Sequence, residues 1–490
     1  MKINFCGLED AKKGEVLALP IYEDQKNLLL EGDFKQAVES MIALGDIKGK
    51  KGEVVLVYPA GGNSLKRIAV VGLGKTKDVN CESIREAYSA LARKLLSMKI
   101  AKAHLVMPIL ENMQPEDMAG AVAEGVFLTD YSFDKYKSYE KKEEKYQPIE
   151  SISFIGAMPK KAKDAVREKR VIADAVIATR DLQNDSADVV SPEYLADQAK
   201  AIAKIHGLRC TLLGKKDIEK LGMGLLLAVN RGSAKEPRLI VLEYHGNPKS
   251  KDLTAVIGKG ITFDSGGYNL KPTKFIETMR EDMAGAAIAL NVISAAAGLK
   301  LKTNLAAVVP ATENMIGSNA YKPGDVYRSM SGKTVEIGNT DAEGRLILAD
   351  AITYAVRKIK PTRIVDFATL TGAMTITLAD ILIGAMTNED HLYEKIYEAG
   401  EATYERVWKL PIYDEFRDRL KSDIADMNNA GGREGGSIIA AAFLEKFVEG
   451  IPWLHLDIAG VSWLEKDRHY IPKHGTGVGV RLMIEFLKRV

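Results

Sequence analysis

Short apolar segments alternate with longer amphipathic segments along almost the whole chain, and this alternation constrains the fold more than any other feature. In the second part of the chain, segments with the length and apolar content of buried strands lie at 238–242, 253–257, 304–309, 363–368 and 453–458. Segments with helical length and periodicity lie at 284–297, 346–357, 391–408, 437–448 and 480–488. Strands and helices that alternate in this way predict a mostly parallel sheet flanked by helices on both faces.

The chain length predicts more than one domain, because 490 residues are too many for a single hydrophobic core. Residues 1–160 predict a small N-terminal α/β domain with apolar strands at 54–57, 68–71 and 103–106. A long amphipathic helix at 161–182 is expected to connect this domain to a larger C-terminal α/β domain at 183–490. Ligands of parallel sheets bind beyond the carboxyl ends of the strands, so we expect the functional site in the larger domain.

Composition bounds the possible partners. The formal net charge is +2, from 68 basic and 66 acidic side chains, so no overall field favours nucleic acid or a membrane surface. The cysteines Cys6, Cys81 and Cys210 are far apart and do not suggest a disulfide framework. The sequence contains neither a transmembrane-length apolar run nor an N-terminal signal peptide. We therefore expect a cytoplasmic protein with no membrane partner, and we do not expect it to bind nucleic acid.

A glycine-rich turn with charged side chains follows one of the predicted strands. It reads Ala255-Val-Ile-Gly-Lys-Gly-Ile-Thr-Phe-Asp-Ser-Gly-Gly267 and carries Lys259 and Asp264. Glycines at such a turn let the backbone approach a ligand closely or adopt positive φ. Lys271 follows shortly after, and Asp282 precedes an alanine-rich helix. The zinc-protease signature His-Glu-x-x-His and the serine-hydrolase signature Gly-x-Ser-x-Gly are absent from the sequence.

A second charged cluster, Gly338-Asn-Thr-Asp-Ala-Glu-Gly-Arg-Leu346, precedes another predicted helix. If this segment is extended, Asp341, Glu343 and Arg345 face one cavity. Adjacent carboxylates repel each other unless a positive charge lies between them, and Arg345 alone could supply it. Asp282 could simply cap its helix. Alternatively, the four carboxylates of the two clusters bind a pair of divalent cations, as in two-metal hydrolases.

The two charged segments resemble those of the leucyl aminopeptidase family, also called cytosol aminopeptidases. Asn339-Thr-Asp-Ala-Glu-Gly-Arg-Leu346 is similar to that family's signature octapeptide at every position, and the segment from Gly258 to Gly267 is similar to its first metal-binding segment. Further similar stretches are Ser191-Pro-Glu-Tyr-Leu195, Asn319-Ala-Tyr-Lys-Pro-Gly-Asp325 and Ala368-Thr-Leu-Thr-Gly-Ala373. The resemblance extends over about 165–490 and implies the fold expected above.

The resemblance implies an activity and a cofactor. The chain would be a two-metal aminopeptidase that releases N-terminal residues from peptides, preferably leucine, methionine and other apolar residues, by attack of a metal-bridging water. Two divalent ions, Mn²⁺ or Zn²⁺, would bind to each chain. One ion would be held by Lys259, Asp264, Asp282 and Glu343, and the other by Asp264, Asp341 and Glu343.

The resemblance also implies roles for two further cations. Lys271 would stay protonated and polarise the scissile carbonyl, and Arg345 would hold a bicarbonate ion that acts as the general base. The pocket for the N-terminal side chain would include Met279, Thr369, Leu370 and Gly372. Members of the family are typically homohexamers, and we expect a homohexamer here.

The sequence leaves three alternatives open. A DNA-binding accessory protein should carry a basic surface, whereas acidic and basic residues nearly balance in residues 1–150. A catalytically inactive scaffold would be expected to have lost a ligand or Lys271, and none is missing. A preference for Cys-Gly dipeptides is compatible with the same motifs, because the departures from the family pattern, at Ser462 and at Thr476-Gly-Val-Gly-Val480, lie outside the ligand set.

Overall fold

The chain forms two compact units, seen in a computed structural model that describes residues 1–7, 14–25, 33–58, 65–141 and 145–490. Met1–Asp174 and the short segment Lys466–Pro472 form the first unit. Ala175–Glu465 and Lys473–Val490 form the second unit. The division falls inside one long helix, Lys160–Asn184, in the region where the sequence predicts a connecting helix. The sequence does not predict that Lys466–Pro472 belongs to the first unit, because these residues lie within the predicted domain 183–490.

The first unit contains a six-stranded sheet with the strand order β1-β6-β5-β2-β4-β3. The strands are β1 (Lys2–Cys6), β2 (Leu17–Ile21), β3 (Val54–Val57), β4 (Ile68–Gly72), β5 (Lys102–Val106) and β6 (Ser151–Ile155). Neighbouring strands are parallel except for β3 and β4. The helices are α1 (Asp33–Leu44), α2 (Cys81–Ser97), α3 (Pro115–Thr129) and the first part of α4 (Lys160–Asn184).

The second unit is built on a nine-stranded sheet with the order β16-β15-β18-β14-β9-β11-β8-β7, in which β10 also pairs with β11. Its strands are β7 (Arg209–Leu213), β8 (Arg238–His245), β9 (Thr254–Gly258), β10 (Gly260–Asp264), β11 (Asn304–Asn314), β14 (Arg363–Ala368), β15 (Ile383–Thr387), β16 (Val407–Lys409) and β18 (Trp453–Asp457). The central pairs β18–β14, β14–β9 and β9–β11 are parallel, whereas β7, β8 and β15 add antiparallel pairs. The prediction of a mostly parallel sheet flanked by helices is confirmed.

Helices and two small sheets complete the second unit. The helices are α5 (Pro192–His206), α6 (Lys215–Lys220), α7 (Gly224–Asn230), α8 (Thr273–Ile276), α9 (Ala284–Gly298), α10 (Glu343–Tyr354), α11 (Gly372–Leu378), α12 (Asp390–Thr403), α13 (Asp414–Asp418), α14 (Gly436–Glu445) and α15 (Val480–Leu487). The short strands are β12 (Val326–Arg328), β13 (Thr334–Glu336), β17 (Met427–Asn428), β19 (Trp463–Leu464) and β20 (His474–Gly475). In the part of the chain that the structure describes, none of the helices combines the length and the apolarity needed to cross a membrane.

The predicted helix 391–408 is too long by several residues. Helix α12 ends at Thr403, and Tyr404 adopts a left-handed conformation with φ of 61°. The chain then enters β16, which pairs with β15 at the edge of the large sheet. The apolar residues near Trp408 therefore belong to a strand, and sheet pairing outweighs the helical periodicity that the preceding residues suggest.

A buried aspartate holds α7 and a neighbouring loop in place. Asp350 lies on α10 and is fully buried. Its Oδ2 accepts hydrogen bonds from the backbone N–H groups of Leu225 (2.9 Å) and Leu226 (3.0 Å) at the start of α7, and its Oδ1 accepts one from Met330 (2.7 Å). Two of these donors, Leu225 and Leu226, would otherwise be buried without partners, which costs free energy, and the third, Met330, is partly buried.

Replacement of Asp350 by alanine should therefore lower the free energy of unfolding by about 2–4 kcal/mol, because two buried N–H groups and a partly buried one lose their acceptor. Urea unfolding followed by circular dichroism measures this change. Asp197→Ala is the control, since Asp197 is an exposed helix residue paired only with nearby Lys200 and should change stability by no more than about 0.5 kcal/mol. Equal stability of the two variants would contradict the assigned role of Asp350.

Candidate functional site

The charged residues singled out in the sequence lie together at the carboxyl ends of the central strands of the second unit. Lys259 connects β9 to β10, and Asp264 is the last residue of β10. Asp282 precedes α9, Glu343 is the first residue of α10, and Thr369 follows β14. Because β9, β11 and β14 are parallel neighbours, their carboxyl ends bring these segments to one edge of the sheet.

Lys259 is almost completely buried and lies between two carboxylates. Its Nζ is 2.8 Å from Asp282 Oδ1 and 2.9 Å from Glu343 Oε1, and it donates to the backbone carbonyl of Thr369 at 2.8 Å. Burial by itself would lower the pKa of Lys259, but the charges of Asp282, Glu343 and Asp264 outweigh burial and raise the pKa above its ordinary value. Lys259 is therefore an ammonium group that offsets the carboxylates around it.

Lys271 plays the corresponding part on the other side of the cluster. Its Nζ is 2.8 Å from Asp264 Oδ2 and 2.6 Å from Asp341 Oδ1. Burial again opposes the charged form, and the carboxylates of Asp264, Glu343 and Asp341 again prevail, so the pKa of Lys271 lies above its ordinary value. The two lysines thus separate two pairs of acidic groups.

The carboxylates themselves are close enough to share a cation. Asp264, Asp341 and Glu343 each offer an oxygen, and these three oxygens lie within 4.8 Å of one another. Among the described residues, Glu343 Oε2 is buried without a hydrogen-bond partner. Burial, together with Asp264 and Glu343, raises the pKa of Asp341 to about 7. Hard oxygen donors that are buried, mutually repulsive and partly unsatisfied suit a divalent cation, so the residues present fit a metal site.

Two glycines allow the segments of the site to come together. Gly266 has φ of 87°, and a Cβ atom there would lie 2.9 Å from Asp341 Oδ1. Gly285, in the first turn of α9, packs so closely on β14 that a Cβ atom would lie 2.1 Å from the backbone oxygen of Phe367. A side chain at either position would push an acidic segment away from the cluster, so the glycine-rich sequence has a direct steric purpose.

The expectation that the octapeptide is extended through Arg345 is wrong. Helix α10 begins at Glu343, so Glu343 and Arg345 are two residues apart on a helix and project in different directions. Asp341 and Glu343 still meet, because Asp341 lies in the turn before the helix. Arg345 is 8% exposed and donates from Nη1 to the backbone carbonyl of Asn429 at 2.7 Å. Burial lowers the pKa of Arg345 to about 10, although Glu343 and Asp457 oppose that change.

The predicted pocket residues lie on two short segments. Thr369, Leu370 and Gly372 follow β14, and Met279 lies three residues before Asp282. Thr369 donates from Oγ1 to Asp282 Oδ1 at 2.7 Å, and the N–H of Leu370 donates to Asp457 Oδ1 at 3.2 Å. Gly372 begins α11. Met279 begins a short 3₁₀ turn that leads directly to Asp282.

Sequence reasoning missed a buried acidic residue on the same turn. Glu281 is 7% exposed and accepts a hydrogen bond from Ser462 Oγ at 2.9 Å. Burial is the main reason that the pKa of Glu281 rises to about 8. The sequence carries no signal for the burial of Glu281. A glutamate is usually exposed to solvent, and its partner Ser462 lies far away along the chain.

It also missed Asn314, the last residue of β11. Asn314 is fully buried, and its Nδ2 donates to Asp264 Oδ1 at 2.8 Å and to the backbone carbonyl of Thr340 at 3.0 Å. The register of β10 and β11 places Asn314 opposite Asp264. The one available sequence signal was a polar residue at the carboxyl end of an apolar strand, the position at which ligands of parallel sheets gather.

Comparisons with known proteins agree with this geometry. The family model described as "Cytosol aminopeptidase family, catalytic domain" matches residues 177–484. The model of that family's N-terminal domain matches residues 18–140. A probable cytosol aminopeptidase of Protochlamydia amoebophila (strain UWE25) is 44% identical over 488 residues, which span 99% of this chain and 97% of the relative. One from Chlamydia abortus (strain DSM 27085 / S26/3) is 43% identical over 484 residues, 97% of this chain and 96% of the relative.

Solved structures show the same similarity. A mutant of tomato leucine aminopeptidase superposes with a TM-score of 0.89 at 31% identity, covering 100% of this chain and 97% of that chain. The bottromycin maturation enzyme BotP in complex with Mn gives a TM-score of 0.87 at 32% identity, covering 97% of this chain and 99% of that chain. With family matches over both parts of the chain and relatives of this similarity over nearly their full length, the chain belongs to the cytosol aminopeptidase family and is a metal-dependent aminopeptidase, a peptide hydrolase.

Proposed function

We propose that this chain is a two-metal aminopeptidase in which Lys259, Asp264, Asp282, Asp341 and Glu343 hold both ions. The observation that carries the proposal is the meeting of three carboxylate oxygens within 4.8 Å beside a buried lysine, Lys259, and a partly buried one, Lys271. In this proposal Asp264 and Glu343 contribute to both sites. Both offer an oxygen to the group that includes Asp341, and Glu343 is also linked to Asp282 through Lys259, which pairs with both carboxylates. The ligand set is the one that the resemblance implies.

Lys259 must lose its proton to serve as a ligand. Without a cation, the surrounding carboxylates hold its pKa high. Beside a bound dication, Lys259 would lose its proton more readily, because its positive charge would be repelled and would no longer be needed to balance Asp282 and Glu343. The backbone carbonyl of Thr369, which accepts from Nζ at 2.8 Å, keeps the side chain aimed at the cluster.

When bound, a pair of divalent ions supplies Lewis acidity to the carbonyl and activates a water molecule. Lys271 keeps its proton and donates to the substrate carbonyl oxygen as negative charge develops there. Arg345 holds a bicarbonate ion as general base; its guanidinium has buried Nε without a partner among the described residues. Asn429 supports this placement because its carbonyl fixes Nη1 of Arg345.

The substrates we propose are peptides with a free N-terminal amine and an apolar first residue. Met279, Thr369, Leu370 and Gly372 line the pocket for that residue. Mn²⁺ is one candidate metal, supported by the similar structure of BotP in complex with Mn, and Zn²⁺ is the other. We further propose that the chain forms a homohexamer, which rests on the family resemblance, and that it acts in the cytoplasm, in keeping with the name that the relatives carry.

Removal of divalent metal should abolish peptide hydrolysis, and its return should restore it, with up to two ions bound per chain. Because Glu343 is shared by both ions, Glu343→Ala should lose both ions and not one. Metal analysis of the dialysed protein measures this, with the exposed Glu394→Ala as the control. Active wild-type protein without divalent metal would refute the proposal, and a Glu343→Ala variant with a full complement would refute the ligand assignment.

The enzyme should remove one residue at a time from free N-termini and should not act on N-acetylated peptides. An acetylated amine is a poor metal ligand and adds bulk where the pocket closes. Matched peptides with leucine, methionine or aspartate at the first position, free or acetylated, should show turnover only for the free peptides and faster turnover for leucine and methionine. Comparable turnover of acetylated and free leucyl peptides would exclude the exopeptidase assignment.

Lys271→Ala should lower kcat about 10²–10³-fold with a smaller change in KM, since the group acts on charge that develops in the transition state. Arg345→Ala should lower kcat while metal content is retained, and added bicarbonate should stimulate depleted wild type more than this variant. Kinetics, metal content and melting temperature of both variants test these expectations.

A purely structural role for these cations predicts a different pattern. Lys271 and Arg345 would then only balance carboxylates, and their loss would weaken metal retention or folding. Wild-type kcat with full metal in both variants would leave the proposed reaction without its electrophile and its base. The exposed Arg357→Ala, which loses a pair with Glu449, controls for the loss of an arginine as such.

A further inference from the structure

Asn314 connects the two charged segments of the site. Its Nδ2 donates to the Asp264 side chain at the end of β10 and to the Thr340 backbone carbonyl just before Asp341. The backbone oxygen of Asn314 accepts from Ser265 N (3.0 Å) and Ser265 Oγ (2.8 Å), so the residue is bound to the first segment through both its backbone and its side chain. One amide thereby fixes the distance between two segments that are far apart in sequence.

The contacts of Asp264 divide its two oxygens between different tasks. Oδ1 accepts hydrogen bonds from Asn314 Nδ2 (2.8 Å) and from the N–H of Gly266 (2.9 Å). Oδ2 faces the ammonium of Lys271 at 2.8 Å. Two neutral donors on Oδ1 set the plane of the carboxylate, and the other oxygen is turned toward the positive charge. Without Asn314, Oδ1 would keep one backbone donor, Gly266, and the orientation of the carboxylate would depend more on the charged contact of Oδ2 with Lys271.

The backbone carbonyl of Thr340 has a second buried donor besides Asn314. It would therefore keep a hydrogen bond if the Asn314 amide were removed. Tyr321 donates from its hydroxyl to the same oxygen at 2.7 Å. In contrast, the described contacts of Asp264 Oδ1 include no second side-chain donor. Removal of the Asn314 amide should therefore disturb the orientation of Asp264 more than the position of the octapeptide.

A residue that served only to join backbone segments would be expected to use both ends of its amide. Asn314 is fully buried, and its Oδ1 has no hydrogen-bond partner among the described residues. A buried unsatisfied oxygen costs free energy, which an aliphatic residue of similar size would avoid. The donor end therefore has to compensate for the acceptor end, and that donor is aimed at Asp264.

We infer that Asn314 is a positioning residue that orients the Asp264 carboxylate for cation binding before the cation arrives. The inference rests on the proposed metal site and adds a residue that the ligand assignment does not contain. Partners of this kind, which hydrogen-bond to a ligating group, typically change metal affinity about 10–100-fold when they are removed. Asn314→Ala should thus weaken divalent cation binding by about that factor.

The strand itself offers a matched control. Asn304 begins β11, as Asn314 ends it, and its buried amide donates to the backbone carbonyls of Asn247, Ser250 and Asp252, at the opposite end of the strand from the acidic cluster. Its Oδ1 also accepts from the N–H of Asn247 at 3.1 Å, so Asn304→Ala should lower the melting temperature of the metal-free protein because it loses all four of these hydrogen bonds. It should leave the affinity for Mn²⁺ unchanged.

The experiment is a titration of chelator-stripped full-length protein with Mn²⁺, in which free Mn²⁺ is read from its six-line electron paramagnetic resonance signal. Wild type, Asn314→Ala, Asn314→Ser and Asn304→Ala are compared, and the melting temperature of each is measured with and without Mn²⁺. Serine keeps a small polar group at position 314 but is too short to reach both acceptors, so it provides a second variant if alanine prevents folding. The expected result is that Asn314→Ala and Asn314→Ser bind Mn²⁺ more weakly than wild type, whereas Asn304→Ala binds it with wild-type affinity.

The possible outcomes separate the inference from the proposed function. Wild type that binds no Mn²⁺ would overturn the proposed metal site itself. Wild type that binds Mn²⁺ while a folded Asn314→Ala or Asn314→Ser variant binds it with equal affinity would overturn the inference alone. A lower melting temperature in a position-314 variant with unchanged affinity would mean that Asn314 is only structural. An equal loss of affinity in Asn304→Ala would also overturn the inference, because the effect would then be one of general stability.

Discussion

Repulsion among buried carboxylates is the constraint on which the arrangement of the second unit depends. Asp264, Asp282, Asp341 and Glu343 lie together at one edge of a sheet, where three of them are buried from water and Asp341 is partly exposed. Such a group is stable only if positive charge or protons are interleaved with it. Lys259 and Lys271 supply that charge from opposite sides, at 2.6–2.9 Å from the acidic oxygens.

The sheet makes this density of charge possible, because it fixes the backbone before the side chains meet. Lys259 directly precedes β10 and Asp264 ends it, and β10 pairs with β11, with a register shift between Ile261 and Asp264. Gly285 allows α9 to approach β14 closely enough to present Asp282 to Lys259. The packing of a large hydrophobic core thus offsets the unfavourable free energy of holding like charges together. Few residues of the site itself need to contribute stability.

Local patterns were sufficient to predict the fold class and the segments that carry the site, because strand, glycine turn and helix start are encoded by neighbouring residues. Contacts set by register were not predictable in this way. Asn314 is opposite Asp264 only because β10 and β11 pair as they do, and Glu281 meets Ser462 across a large sequence separation. The extended conformation assumed for the octapeptide failed for a local reason: Glu343 already starts a helix, so alternation of side chains ends before Arg345. The metal-ligand roles stay predictions.

Charge balance gives a reason for the unequal fates proposed for the two lysines. Four carboxylates and two ammonium groups leave two negative charges uncompensated, so the cluster without metal must bind protons, in agreement with the raised pKa of Asp341. Two dications would more than reverse this deficit, and the amine nearest to them could then be neutral. Lys259 is the amine enclosed between Asp282 and Glu343, whereas Lys271 is more exposed to solvent. Its ammonium can remain hydrated, and it can therefore keep the proton that a developing oxyanion requires.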